Sequence, residues 1–134
     1  MFDSLDISAS ALTAQRTRMD TIAGNVANID VTRNAQGEKI PYRRRFVVLA
    51  PGTSAQGEKP GVHVQAVQED QSAFRKVYDP GNPDAGKDGY VQYPNVDLAI
   101  EQVNMMEASR AYDANVTMMD TMKAMIASDL RLLA

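Results

Sequence analysis

The chain has 134 residues, the size of one ordinary domain, and 14 Lys and Arg against 17 Asp and Glu give a net charge of −3. That balance offers nucleic acid no basic footprint, and the lack of cysteine removes disulfides, thiolate metal sites and cysteine nucleophiles. No run of about 18 apolar residues could cross a bilayer. The N-terminus has no basic head and apolar block of a cleaved signal, which taken alone suggests a cytoplasmic protein.

Breakers divide the sequence into three parts. All six prolines and seven of the eight glycines lie between Gly37 and Pro94, so the ends read as helices and the middle as strands and turns. In the first part, Ser4 is a cap candidate and Asp6 a first-turn acid that suits the helix dipole. Leu5, Leu12, Met19 and Val26 recur every seven residues, with Ile22 and Ile29 three places on from the last two. Ser8 and Gln15 dilute the first half of this seam. A stripe packed on its own domain and a face for a partner helix both fit it.

The middle carries alternating or apolar runs at 44–49, 62–67, 74–78 and 89–94, which predict short strands. Turn-rich stretches at 51–61 and 79–89 separate them. Within it, YRRRF at 42–46 is the sharpest charge feature, read as a subunit-facing or solvated patch, and Glu69 with Asp70 reads as a solvated acid pair.

In the last part, Pro94 stops the chain, Asn95 is the cap candidate and Asp97 fits the first turn. Leu98, Met105, Tyr112, Met119, Ile126 and Leu133 form an unbroken seven-residue series, widened by Ala108, Val116, Met122 and Leu130. Six of the eight methionines fall here, and Met106, Met118 and Met125 lie beside the series. Core filler and a deformable partner surface are both open readings of a Met-rich face.

Size separates them. A helix from Asp97 onward would span roughly 55 Å, whereas a compact globule of this length is roughly 36 Å across. One N-terminal helix and a small β segment cannot cover such a seam, so other copies or similar chains must. The predicted fold is mainly α with a small β insert. Two long terminal helices form an elongated coiled-coil hairpin over 1–32 and 95–134, and 33–94 is an insert of short strands and loops.

Catalytic chemistry finds no foothold. His63 is the one histidine, so zinc would need carboxylates for every other ligand and a serine triad would depend on this single imidazole. No G-x-S-x-G elbow and no phosphate-cradling glycine loop is present. The expectation is no enzyme, no metal, no cofactor and no small-molecule substrate.

Two blocks carry a resemblance. The opening LDISASALTAQRTRMDTIAGNVANIDVT is similar to the N-terminus of bacterial flagellar axial proteins, with Ala27, Asn28 and then Thr32 matching their Ala-Asn-x-x-Thr-like motif at one residue's longer spacing and Asn25 its upstream asparagine. The second block resembles one proximal rod subunit of that family. It comprises Tyr78, Pro80-Gly81-Asn82-Pro83, Gly89-Tyr90-Val91 and Pro94-Asn95-Val96-Asp97, continued by MEASRAYDAN from Met106 through Ser109 and Arg110 to Asn115.

The resemblance implies a structural subunit of the flagellar basal-body rod, the periplasmic drive shaft that passes torque from motor to hook. It implies contacts with copies of the chain and with other proximal and distal rod subunits, hook–basal body protein and the MS-ring side. It also implies passage through the flagellar type III export apparatus without a cleaved signal, which overrides the cytoplasmic reading. Leu12, Met19, Val26, Leu98, Met105, Tyr112, Met119 and Ile126 are then the assembly seam. Asn25 and Asn28 would satisfy backbone groups at a helix end, Asn28 alternatively being a left-handed C-cap, and Arg110 would pair with a neighbour's carboxylate. Another rod or hook-junction subunit, and a cytoplasmic coiled-coil adaptor, are the rival readings.

Overall fold

Helix-forming ends and a breaker-rich middle lead to a molecule divided in the same way. A computed structural model describes residues 2–52 and 60–134. Along them run α1 (Phe2–Ala27), β1 (Arg45–Pro51), β2 (Val62–Glu69), β3 (Arg75–Tyr78), β4 (Tyr90–Tyr93) and α2 (Leu98–Leu133). The fold is mainly helical with a small antiparallel β insert. The expected turn at 51–61 falls largely on residues 53–59, outside the described residues.

The helix ends differ from expectation in instructive ways. α1 begins at Phe2, so Ser4 lies inside it and Asp3 supplies the first-turn acid, closer to the positive end of the dipole than Asp6. At the other end Asn28 sends its backbone N–H (3.1 Å) and its side-chain amide (2.8 Å) to the Gly24 carbonyl. It does this without a left-handed backbone, since no described non-glycine residue has positive φ.

α2 is capped by Asp97, whose extended backbone lets Oδ1 accept the N–H groups of Ala99 (2.9 Å) and Ile100 (3.4 Å). Asn95, expected in that role, lies two residues too early to reach those donors. Its Oδ1 accepts the Arg44 N–H at 2.8 Å, and its Nδ2 donates to Asp70 O and Ser72 Oγ, each at 3.0 Å.

Asn25 meets Glu101 and Arg18 meets Glu107 across the helix pair. A step back along α1 is thus a step forward along α2, and the two run antiparallel. Their deepest lines are Ser8, Ala14, Ile22 and Asn25 on α1 and Glu101 and Ala108 on α2. Ser8, expected to dilute the seam, is buried on α1, only 4% exposed. The β1–β2 pair lies against α1, with the Val62 N–H donating to Ser10 Oγ at 3.1 Å. Its register shifts between Val48 and Leu49, leaving Gln65 as the extra residue of a bulge. In the second pair Tyr78 faces Tyr90, ring centroids 5.2 Å apart and edge-on.

The loop joining β3 to β4 folds back on the end of the N-terminal segment. Gly89 has φ +80°, and a Cβ there would stand 2.8 Å from the Tyr78 ring, so this position needs glycine on both counts. Asp84 accepts the Thr32 hydroxyl at 2.6 Å and pairs with Arg33. The Thr32 hydrogen bond, and then Arg33, hold the Asp84 carboxyl below its ordinary value of 3.8. A carboxylate depressed on folding contributes stability that is complete above its unfolded value and lost as pH falls through its folded one. The thermal midpoint should therefore hold steady down to about pH 5 and drop below about pH 4. Asp84→Asn should lower the midpoint at neutral pH and make the acid limb shallower. Asp70, held down mainly by the Ser72 backbone N–H, keeps a residual slope. An unchanged acid limb in melts across this range would refute the assignment.

Candidate assembly site

A buried polar clamp joins the two helices to the insert. Glu101 is fully buried on α2, where an unpaired carboxylate would be prohibitive. Its Oε1 accepts the Arg44 guanidinium, which also reaches Asp70 at 3.4 Å, and its Oε2 accepts the Asn25 amide at 3.3 Å. Asn25, equally buried, does more. Its Nδ2 donates to Arg45 O (2.7 Å) while its Oδ1 accepts the Arg45 N–H (2.9 Å) and the Tyr42 hydroxyl (3.0 Å). A helix side chain thus imitates a neighbouring strand at the entry to β1. Burial pushes the Tyr42 phenol above its ordinary value, keeping it a donor.

The YRRRF run is not simply a solvated patch, because Arg43 and Arg44 are engaged within the chain while Arg45 stays exposed. Arg44 serves the clamp, Arg43 stacks on Phe74 and donates to Asp70 O at 2.9 Å, and Arg45 stands over the Tyr42 ring. Asp70 is not a free solvated acid either, since it accepts the Ser72 N–H at 2.9 Å.

The structure distributes the sequence-derived residues over three places. Leu12, Met19 and Val26 on α1, and Met105, Tyr112, Met119 and Ile126 on α2, are half-buried, while Leu98 is exposed. The second block splits. Val91, Pro94 and Val96 are buried, with Val91 only 1% exposed, whereas Pro80, Gly81, Pro83 and Tyr90 face outward. Asn82 Oδ1 accepts the Asp84 N–H at 2.9 Å, holding the loop that meets Thr32. On the long helix Ser109 and Asn115 are half-buried and Met106 and Arg110 exposed; Arg110 has no ion pair among the described residues. Ala27 is exposed at the end of α1.

Sequence reasoning missed Glu101 and Asp84, and read Tyr42 and Arg44 only as part of a charged patch. The available signal was Glu101 itself, a charge three places after Leu98 and four before Met105, where a seam residue belongs.

Among the described residues nothing covers the outer face of α2. Met118, Met125 and Leu132 recur every seven residues at 51, 57 and 82% exposure. Among the described residues no helix is long and apolar enough to cross a membrane, and no group of three or more His, Asp or Glu could hold a metal ion. His63 Nδ1 lies 2.8 Å from the Gly52 carbonyl.

The clamp has a direct test. Asn25→Ala strips the Arg45 backbone, the Tyr42 hydroxyl and Glu101 of a shared partner, which should cost about 2–4 kcal/mol and lower the thermal midpoint by roughly 10 °C. Asn28→Ala, losing a single side-chain hydrogen bond, should cost about 1 kcal/mol. Equal losses from the two would contradict the hierarchy.

Comparison with known proteins gives these features a context. The family model described as flagella basal body rod protein matches residues 5–36, and that described as flagellar basal body rod FlgEFG protein C-terminal matches 87–132. The flagellar basal-body rod protein FlgC of Bacillus subtilis is 46% identical, over 98% of this chain and 97% of its own. The FlgC of Escherichia coli O6:H1 is 42% identical, with the same coverage. That of Borreliella burgdorferi is 37% identical over 99% of this chain and 97% of its own. The matched termini are the two helices and the block that ends in the Asp97 cap, while these relatives also span the insert between them. The chain belongs to the FlgC family of flagellar basal-body rod proteins.

Proposed function

We propose that the chain is a structural subunit of the flagellar basal-body rod, built into the proximal part of the shaft that transmits torque from motor to hook. The observation that carries this reading is the uncovered stripe on α2. The accessible surface is 8910 Å², against roughly 6,900 Å² for a compact monomer of this mass. The excess, about 2,000 Å², is more than the roughly 800 Å² that each partner contributes to a standard specific interface. Met118, Met125 and Leu132 supply a flexible apolar face at helical spacing, a surface suited to neighbouring helices.

In this reading residues 1–32 and 95–134 act as one elongated coiled-coil hairpin, and 33–94 is carried on its outside. The half-buried seam from Leu12 to Val26 and from Met105 to Ile126, together with exposed Leu98, meets α1 or α2 on one side and neighbouring subunits on the other. Partners are copies of the chain and other rod proteins, reached after export through the flagellar type III apparatus without a cleaved signal. Family membership supports the rod; the periplasmic route and the particular neighbours rest on the resemblance of the terminal blocks.

The test separates folding from assembly. Met118→Asp places a carboxylate on an exposed position, so the isolated chain should lose no more than about half a kcal/mol. In the assembled rod that carboxylate would be buried without a partner, costing several kcal/mol. Cells carrying Met118→Asp should make and export the chain but yield few complete hook–basal bodies and little swimming, while Lys123→Asp assembles normally. Normal numbers of basal bodies from Met118→Asp would remove the stripe from the account. Absence of the parent chain from purified basal bodies would remove the function.

A further inference from the structure

The half-buried apolar residues of the two helices repeat every seven residues, with Leu12, Met19 and Val26 on α1 and Met105, Tyr112, Met119 and Ile126 on α2. A repeated seam is degenerate. Sliding one helix by a heptad, about 10 Å, again sets large apolar residues against large apolar residues. Hydrophobic matching therefore leaves the stagger open.

One position breaks the repeat. Among the described residues Glu101 is the one fully buried charged side chain, and both of its partners are tied to α1. Asn25 belongs to α1, and Arg44 stays beside it because Arg45 and Tyr42 are bonded to the Asn25 side chain. A slide in one direction would set Ala108 opposite Asn25 and Arg44 and carry the carboxylate past the end of α1. A slide in the other would bring the start of α2 there and carry the carboxylate toward Arg18. Either leaves buried polar groups without partners, which the native stagger avoids.

We infer that Glu101 sets the register of the helix pair: its carboxylate, shared between Asn25 and Arg44, selects one stagger of α1 on α2 and locks the insert to it. Glu101 is a positioning residue in this role. A buried polar group on a largely apolar seam is an established way of choosing register in helix pairs.

The chain contains no cysteine, so introduced pairs report the stagger without background. Arg18→Cys with Glu107→Cys, joined by a short bifunctional thiol reagent, reads the native stagger. The reagent is needed because the ion pair at 3.5 Å joins the tips of two long side chains and leaves their Cβ atoms further apart than a direct disulfide spans. Arg18→Cys with Ala114→Cys, or with Ile100→Cys, reads a slide of one heptad either way. In the full-length parent chain, cross-links within one molecule should form at 107 and not at 114 or 100. Glu101→Leu should raise the yield of at least one slipped pair tenfold or more while circular dichroism shows the helices retained. If that variant unfolds because Arg44 is left unpaired, Glu101→Leu with Arg44→Met removes both charges and should slip in the same way.

A folded variant that still links only at 107 overturns the inference, since the repeats alone would then choose the stagger. Loss of helicity in both variants overturns it too, because the clamp would then sustain the fold instead of selecting among staggers. The readout is intramolecular and does not depend on entry into a rod. A chain that slips in the variants yet is absent from basal bodies would retain this inference and lose the proposed function.

Discussion

A carboxylate with no access to water has to be answered, and the way Glu101 is answered organises the rest of the molecule. The Arg44 guanidinium and the Asn25 amide come from different parts of the chain, so satisfying one oxygen pair brings α1, α2 and the approach to β1 to a common point. Replacing such a group with an apolar one of similar size is often neutral, whereas removing only one partner typically costs about 3–5 kcal/mol. Its value therefore lies in specification. Most of the remaining contact between the helices is small or half-apolar and would tolerate other arrangements.

This distribution explains why so little apolar surface is buried within the chain. The fully buried apolar residues number few, with Ala14, Ile22, Val91, Val96 and Ala108 as the described core. Two of the five are alanines. Close approach of the helices is obtained with small side chains, and the bulky ones, Met118, Met125 and Leu132 among them, are turned outward. An isolated domain organised this way would waste its hydrophobic residues. A subunit whose core is completed by neighbours would not, which is why the clamp and the uncovered stripe belong to one account. The clamp fixes the shape of the unit, and in the proposed function the stripe joins units together.

Much of the architecture was legible before any coordinates. Seven-residue spacing located both helices, and the alternating runs at 44–49, 62–67, 74–78 and 89–94 overlap the four strands. Local signals of this kind depend on neighbours in sequence. Capping was less legible, because Asn95 and Asp97 are both good caps and only the extended backbone of Asp97 beside α2 decides between them. The clamp was least legible. Arg44 and Glu101 are 57 residues apart, and Asn25 and Glu101 are 76 apart. Three arginines in a row look alike on paper; which one turns inward depends on a strand register and a helix face that composition does not encode. The same holds for Thr32 and Asp84, brought together from the two terminal-side blocks by the fold-back of the β3–β4 loop.

The most direct measurement is a subunit-resolution image of isolated basal bodies in which this chain is traced. The expected result is Met118, Met125 and Leu132 of α2 buried against helices of neighbouring subunits, with Glu101 still bonded to Arg44 and Asn25 of its own chain. A rod in which that face of α2 looks onto solvent, or in which Glu101 pairs with a neighbour instead, would contradict the account.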